Sequence, residues 1–532
     1  MIRTFRSTHR TTLHRSVASL PSARPTWLTS GHETRRFKVT AVASTSVTDG
    51  ASYQPFTSIP SLPTYPLIGS MLAITAHDPS KTKNQYHLAQ KAIHEQYGPL
   101  VRLQMPGAQH PTLWIADPDI VTQVFQTETK FPSRPPLSSW VYYRQQHQQP
   151  MGIALSDGEE WRRVRMAAQG LIFNPQRAQK AFTQCVNPPT RLAMDKIEQH
   201  LRTQGPLAMD GKQTVDIENL VMRWSIEAVS NVLLGRPLGA LNEAAIPIAQ
   251  RMIDSFLVMM RTFGPIMRMP EWMWKWQLNK VAREHFKALA DIHQLCDELT
   301  RDVIKDMAKL APEQLEGTFL GHVLARPEAL SHTEVMVMTA DFLQAGIDTT
   351  SRTALNIMYF LSRNPRVQAK LRDEIVSVVG RDDDLTVDQF SKLKYFKNVL
   401  KETFRILPNF PQNGRILTQD AILGGYLIPA GTSLGLNQYV MSHDEKLVAN
   451  PSVFLPERWD SKDVHSAVVL PFGSGARRCI GSRVAEIELH VLFVHLLRRF
   501  ELVAAPEEME VETTTGITPI GPTPLRLKPI QV

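Results

Sequence analysis

Apolar residues recur every three or four positions over much of this chain and alternate every second position only in short pieces. The longest helical pattern opens with a capping box, Ser331 and Glu334. It runs to about Arg363, where Asn364-Pro365 stops it. Roughly thirty residues at ~1.5 Å each span about 45 Å. A second run, through Val484, Ile487, Val491 and Leu492, continues to Phe500. A third sets Met252, Phe256, Met259, Met260 and Phe263 on one stripe, the usual mark of a helix facing a core. Residues 85–97 and 120–127 read as shorter helices. Residues 100–105 and 112–116 read as a hairpin, and 425–432 as a turn between strands. Residues 58–69 are proline-rich with neither pattern, and 131–150 read as a packed loop of prolines and aromatics. No repeat or later low-complexity linker interrupts the chain, so Tyr53 onward reads as one domain.

Two stretches break this regularity. In the middle of the longest helix stands Ala345-Gly346-Ile347-Asp348-Thr349-Thr350. Glycine in a helix interior costs ~1 kcal/mol, and a pair of threonines is a poor helix former. A local violation inside a strong helix points to function. Gly346 would leave a groove where a small ligand reaches the backbone. The Thr349 hydroxyl can donate a hydrogen bond, and Asp348 can relay protons. The bland alternative is a kinked helix with a back-bonded threonine.

The other stretch is Pro471-Phe-Gly-Ser-Gly-Ala-Arg-Arg-Cys-Ile-Gly481. Gly473, Gly475 and Gly481 free the backbone for close approach. Arg477 and Arg478 precede Cys479 and favour its thiolate, and backbone N–H groups at the start of the next helix favour the same anion. Such a thiolate can be the axial ligand of haem iron. A lone cysteine is more often a small buried hydrophobe. The G-S-G does not complete a dinucleotide-binding fingerprint.

The whole string decides. Phe472, Gly475, Arg477, Cys479 and Gly481 match F-x-x-G-x-R-x-C-x-G, and on them the chain resembles the cytochrome P-450 superfamily over about residues 59–529. The resemblance implies a mostly α fold with a small β portion (α+β), in a single haem-thiolate domain. It implies haem b (iron protoporphyrin IX), with Cys479 as the iron ligand and Phe472 in the cofactor loop. Residues 345–349 match the family's oxygen-activation motif, which gives Gly346, Asp348 and Thr349 catalytic roles. Trp161 and Arg165 match its W-x-x-x-R, and with Arg415 and Arg477 they would hold the haem propionates. Glu402 and Arg405, with Arg458 of the F-x-P-E-R-W string, would form a buried ion network behind the haem. Leu137, Trp140 and Val141 would line the substrate cavity.

Lys397 and Lys401 lie one turn apart. The K-x-x-x-K-E-x-x-R arrangement is similar to that of mitochondrial members, where both lysines bind an acidic [2Fe–2S] ferredoxin. Ser482 departs from that pattern, because mitochondrial members often carry two basic residues after C-x-G and only Arg483 remains here.

Composition narrows the setting. The net charge of +8 suits an acidic partner or a membrane surface and is too diffuse to argue for nucleic acid. The three cysteines, Cys185, Cys296 and Cys479, form no C-x-x-C pair, which argues against a disulfide framework and for a reducing compartment. Residues 1–38 hold seven arginines and one acid, Glu33, with no apolar run long enough for a signal peptide or a span. Residues 1–50 therefore read as a transit peptide and leader, and 51–532 as the catalytic domain. The resemblance favours the mitochondrion (inner membrane, matrix side) over the plastid. Ile266, Met267, Met269, Trp272, Met273, Trp274 and Trp276, with Arg268 and Lys275 among them, suit peripheral contact with a membrane interface better than a plain core.

The expectation is a monooxygenase that hydroxylates a small apolar substrate, a sterol, steroid or secosteroid. It would use O2 and electrons from a [2Fe–2S] ferredoxin with its reductase. The alternatives are a haem-thiolate isomerase that rearranges peroxides and a non-catalytic haem-binding protein. The Asp348–Thr349 pair argues against both.

Overall fold

The capping box at Ser331 forms as the sequence suggests. In the computed structural model Ser331 N donates to the Glu334 carboxylate at 2.8 Å and Glu334 N to Ser331 Oγ at 3.3 Å. The helix His332–Arg363 that it opens is buried along most of its length. Its apolar stripe faces more than one neighbour, so it becomes the axis of the fold. The helices Ile217–Leu234, Lys280–Met307, Lys394–Ile406 and Ser482–Arg499 pack around it. The structure describes residues 53–530 apart from 81–83, 107, 173–174, 204–216, 243–245, 308, 310–317, 325–329, 514–515 and 520–522. The transit peptide and leader expected at 1–50 lie outside the described residues.

The sheets are small. Leu100–Leu103 and Thr112–Ile115 pair antiparallel, the expected hairpin. Thr112–Ile115 runs parallel to Ser433–Leu436, which pairs antiparallel with Asn413–Ile416 and so fixes the position of Arg415. Ala421–Leu423 and Tyr426–Ile428 form a tight hairpin. Its two turn residues, Gly424 and Gly425, have φ of 57° and 83°, the left-handed pair that a two-residue turn requires. Near the C-terminus, Phe500–Ala504 pairs with Leu525–Pro529, and Val511–Thr513 with Ile517–Pro519. The fold is mostly α with a small β portion, as expected.

Two local expectations are corrected. Residues 131–150 are not a loop throughout, because Ser138–Gln146 is a helix. Its buried positions are Ser139, Tyr143 and Arg144, so its core face carries polar groups and shows no apolar period. The membrane-like segment divides. The helix Ile246–Met267 runs on through Pro265, and Glu271–Lys275 forms a further turn. Trp274 is 3% exposed and packs against Tyr142 and Phe286 at ring distances of 5.6 and 6.1 Å. Trp272 and Trp276 are 58% and 75% exposed. Trp274 therefore belongs to the core, and only its two neighbours face outward. Among the described residues no helix is long and apolar enough to cross a membrane.

Candidate active site

The cysteine loop turns on two of its glycines. Gly473 and Gly475 have φ of 66° and 70°, where a Cβ is strained. A Cβ at Gly475 would also collide with the Glu128 carboxylate. Gly481 has an ordinary φ of −79°, and a Cβ there would lie 3.9 Å from Cys479 Sγ, so no unusual dihedral calls for glycine at this position. Cys479 N donates to Phe472 O at 2.8 Å, and the Phe472 ring stands edge-on to Phe404 at 5.6 Å.

Cys479 is accessible, yet burial pushes its thiol up. The Gly481 N–H and the guanidiniums of Arg134, Arg165 and Arg478 pull the other way. A group that is both accessible and enclosed lines an internal space. Arg134 is the same, accessible at its surface but pushed down to about 10 by burial and then by Arg415 and Arg477.

Guanidiniums therefore crowd one wall of this space. Trp161 and Arg165 are buried one above the other on the helix Gly158–Ile172, as their spacing predicts. The Arg477 guanidinium stacks 4.0 Å over the Trp161 ring. Arg477 also bonds Pro132 O at 2.8 Å, Ser156 O at 3.1 Å and the Asp157 carboxylate. Arg415 pairs with Glu128 at 2.5 Å and donates to Ser474 O at 2.8 Å. Arg134, which sequence reasoning missed, donates to Arg477 O. Its only signal was a single basic residue in a proline-rich stretch. Like charges held together in a low dielectric call for an anion. Glu128 and Asp157 already answer Arg415 and Arg477 in part, and a thiolate at Cys479 with the propionates of an iron porphyrin would supply further anions to the cluster, so these residues fit that group.

The long helix carries an accessible turn of its own. Ala345 is exposed although Leu343, Gln344, Ile347 and Asp348 around it are buried, and Thr349 one turn on is half-buried. Thr349 Oγ1 donates to Ala345 O at 2.7 Å, so the hydroxyl is back-bonded at rest and lies on the accessible face. Gly346 does not open a groove. A Cβ there would stand 2.7 Å from Val229 Cγ2, and Ser225 Oγ donates to Gly346 O at 3.1 Å. The glycine admits the helix Ile217–Leu234. Asp348 is not an open relay either. It is buried, with both oxygens 2.6 Å from Arg352 Nη2. Arg352 was missed, although acid and base four apart on a helix is a readable spacing. Glu488, on the helix that starts after Cys479, shares a hydrogen bond with Thr350. That bond ties the cysteine's helix to the Asp348–Thr349 turn.

Apart from this cluster and this turn, Glu402 and Arg405 are fully buried. Arg405 donates to both Glu402 oxygens at 3.0 and 2.8 Å and to the carbonyls of Ser442, Pro451 and Val453. Arg458 Nε and Trp459 Nε1 also reach Glu402, at 2.9 and 3.0 Å. With every oxygen engaged, the network sets register more than it adds stability. Lys401 is exposed and Lys397 half-buried, each over an aromatic ring, Trp459 and Phe390. Lys397, Arg478 and Arg483 all act on the Glu486 carboxyl, so Lys397 of the lysine helix lies near the basic residues around Cys479. Of the expected cavity residues, Trp140 packs edge-on to Phe263 at 5.9 Å, and Leu137 and Val141 are half-buried.

The family model for cytochrome P450 matches residues 59–528. This chain is a cytochrome P450. It is a monooxygenase, and its cofactor is haem b. The P450 is 32% identical to cytochrome P450 27C1 of Danio rerio over 414 residues, 75% of this chain and 74% of the relative. It is 27% identical to the mitochondrial 1,25-dihydroxyvitamin D(3) 24-hydroxylase of Rattus norvegicus over 91% of each chain. It is 30% identical to the mitochondrial sterol 26-hydroxylase of Oryctolagus cuniculus over 76% of each. The P450 is thus related to mitochondrial sterol and vitamin D hydroxylases.

Proposed function

We propose that this P450 hydroxylates a small apolar substrate of the sterol, steroid or secosteroid class in the mitochondrion, with electrons from a [2Fe–2S] ferredoxin and its reductase. One observation carries the reading. An enclosed but accessible thiol, Cys479, is surrounded by guanidiniums, and its helix is tied through Glu488 to the Asp348–Thr349 turn. When bound, the haem supplies O2 activation and C–H oxidation. Cys479 would give it a thiolate ligand, which favours O–O cleavage, and the Gly481 N–H and the arginine field would hold that anion. Trp161, Arg134, Arg165, Arg415 and Arg477 would hold and orient the propionates. Thr349 offers a hydroxyl on the accessible face and can turn it from Ala345 O to donate a proton there. Behind it stands the Asp348 carboxylate, held by Arg352 and able to pass a proton only once that pair opens. Positioned proton transfer of this kind is worth ~10²–10⁴-fold in rate. Lys397 and Lys401, extended by Arg478 and Arg483, form the face that an acidic ferredoxin would meet. Trp272 and Trp276 with the exposed Met267 and Leu278 form an apolar edge for peripheral membrane contact. The relatives' names support the substrate class and compartment.

The test is Cys479→Ser. The variant should lose the red-shifted Soret band of the reduced carbonyl complex, while Cys185→Ser and Cys296→Ser keep it. Retention of that band in Cys479→Ser would overturn the assignment.

A further inference from the structure

Arg352 does more than neutralise Asp348. Its Nη2 lies 2.6 Å from both Asp348 oxygens, and its Nη1 donates to Thr518 Oγ1 at 2.8 Å and to Ile517 O at 3.4 Å. Ile517 and Thr518 belong to the strand Ile517–Pro519 of the C-terminal hairpin. A parallel link runs through Asn409. Asn409 O accepts from Ile517 N at 3.0 Å, and Asn409 Nδ2 donates to Thr349 O at 3.1 Å and Thr353 Oγ1 at 2.9 Å. One strand is therefore attached at two points to the helical turn that carries Asp348 and Thr349. The fit is close. A Cβ on Gly516 would overlap Asn409 O and lie 3.4 Å from Arg352 Nη1.

A buried ion pair is weak evidence for stability, because desolvation offsets much of the attraction. What it does supply is geometry. Nη2 shared by both oxygens, on a planar guanidinium whose Nη1 is fixed to the strand, holds the carboxylate in one orientation. A carboxylate so held takes up or passes a proton only when the guanidinium yields. Arg352 Nη1 stays on Thr518 Oγ1 and Ile517 O, so the strand keeps hold of the guanidinium while Nη2 leaves the carboxylate.

We propose that Arg352 is a positioning residue for monooxygenation: it clamps Asp348 to the strand Ile517–Pro519, so proton delivery at the Asp348–Thr349 turn depends on where that strand sits. The inference rests on the reading of that turn as the proton-delivering one.

The test compares haem-loaded wild type with Arg352→Gln, Arg352→Lys, Thr518→Val and Thr349→Ala. Amide hydrogen exchange at residues 516–518 reads the strand without turnover. Peroxide release from O2 against pH reads proton delivery. Electrons come from photoreduced deazaflavin, with a carbon-monoxide-blocked sample as blank, so the readout requires neither substrate nor protein partner. Arg352→Gln should speed exchange at the Ile517 amide by at least about tenfold and change peroxide release about threefold or more, with a shifted pH profile. Arg352→Lys should restore part of the exchange protection but not the profile, because one ammonium cannot span both oxygens and the strand. Thr518→Val should shift the profile in the same direction by a smaller amount. Faster exchange with an unchanged profile in Arg352→Gln would leave Arg352 a purely structural tie and overturn the proposal. If Arg352→Gln fails to hold haem, an unchanged profile in Thr518→Val overturns it instead. Unchanged peroxide release in Thr349→Ala would overturn the reading of the turn itself, whatever Arg352 does.

Discussion

A Cβ placed on Gly346 would stand 2.7 Å from Cγ2 of Val229. The glycine therefore lets two helices meet in the middle of the fold. Alanine there gains ~1 kcal/mol in helix propensity. It must also displace a β-branched side chain with few rotamers to move into, and overpacking of this kind costs about 1–3 kcal/mol. Gly346→Ala should lower the melting temperature of the haem-loaded protein, and Val229→Ala in the same chain should recover part of the loss. A single variant that melts no lower than wild type would show that the contact has slack.

Glu488 gives a pH signature. Burial raises its carboxyl from 4.5 to about 8, and only the hydrogen bond with Thr350 opposes the shift. Below the unfolded value both states are protonated and the group contributes no difference. As pH rises from about 4.5 to about 8 the unfolded chain releases a proton that the folded protein retains, so stability falls over that window. Glu488→Gln can keep the bond to Thr350 and removes the penalty. Its advantage in stability over wild type, read as a higher melting temperature, should be near zero at pH 4.5, grow through neutrality and level off above about 8, where it is on the order of 5 kcal/mol. A pH-independent difference between the two proteins would mean that Glu488 is not protonated at neutral pH.

The basic patch should govern electron entry. Lys397→Glu with Lys401→Glu reverses two charges on the face shared with Arg478 and Arg483. Repulsion replaces steering, so reduction by a [2Fe–2S] ferredoxin should slow by about tenfold or more at low salt. The gap should narrow as salt shortens the screening length to ~8–10 Å. Haem content should not change. Stopped-flow reduction at two ionic strengths checks this, and wild-type kinetics in the variant would reduce the lysines to a solvated face.

The three tryptophans should separate into two classes. Trp272→Ser with Trp276→Ser should weaken co-sedimentation with phosphatidylcholine vesicles and leave the melting temperature close to wild type. Trp274→Ser should instead destabilise the fold, since truncating a buried tryptophan costs ~3–5 kcal/mol. Equal vesicle binding by the double variant and wild type would remove the membrane role.

Much of this molecule is visible in short windows of sequence. The capping box at Ser331, the stop at Asn364-Pro365, the hairpin at 100–115 and the one-turn spacing of Trp161 and Arg165 all form. Each depends on residues within a few positions of one another, where spacing alone settles what can touch. The cysteine loop is of the same kind, since its left-handed Gly473 and Gly475 are local requirements. Tertiary structure decided which side of an element meets what. Gly346 faces Val229, Arg352 reaches Thr518, and Trp274 turns inward between two outward neighbours. Arg134 joins a nest of arginines contributed from four separate parts of the chain. A helical period shows that a residue has a face but not which neighbour will cover it. That neighbour lies up to hundreds of residues away, and only the packing of the whole core brings it there.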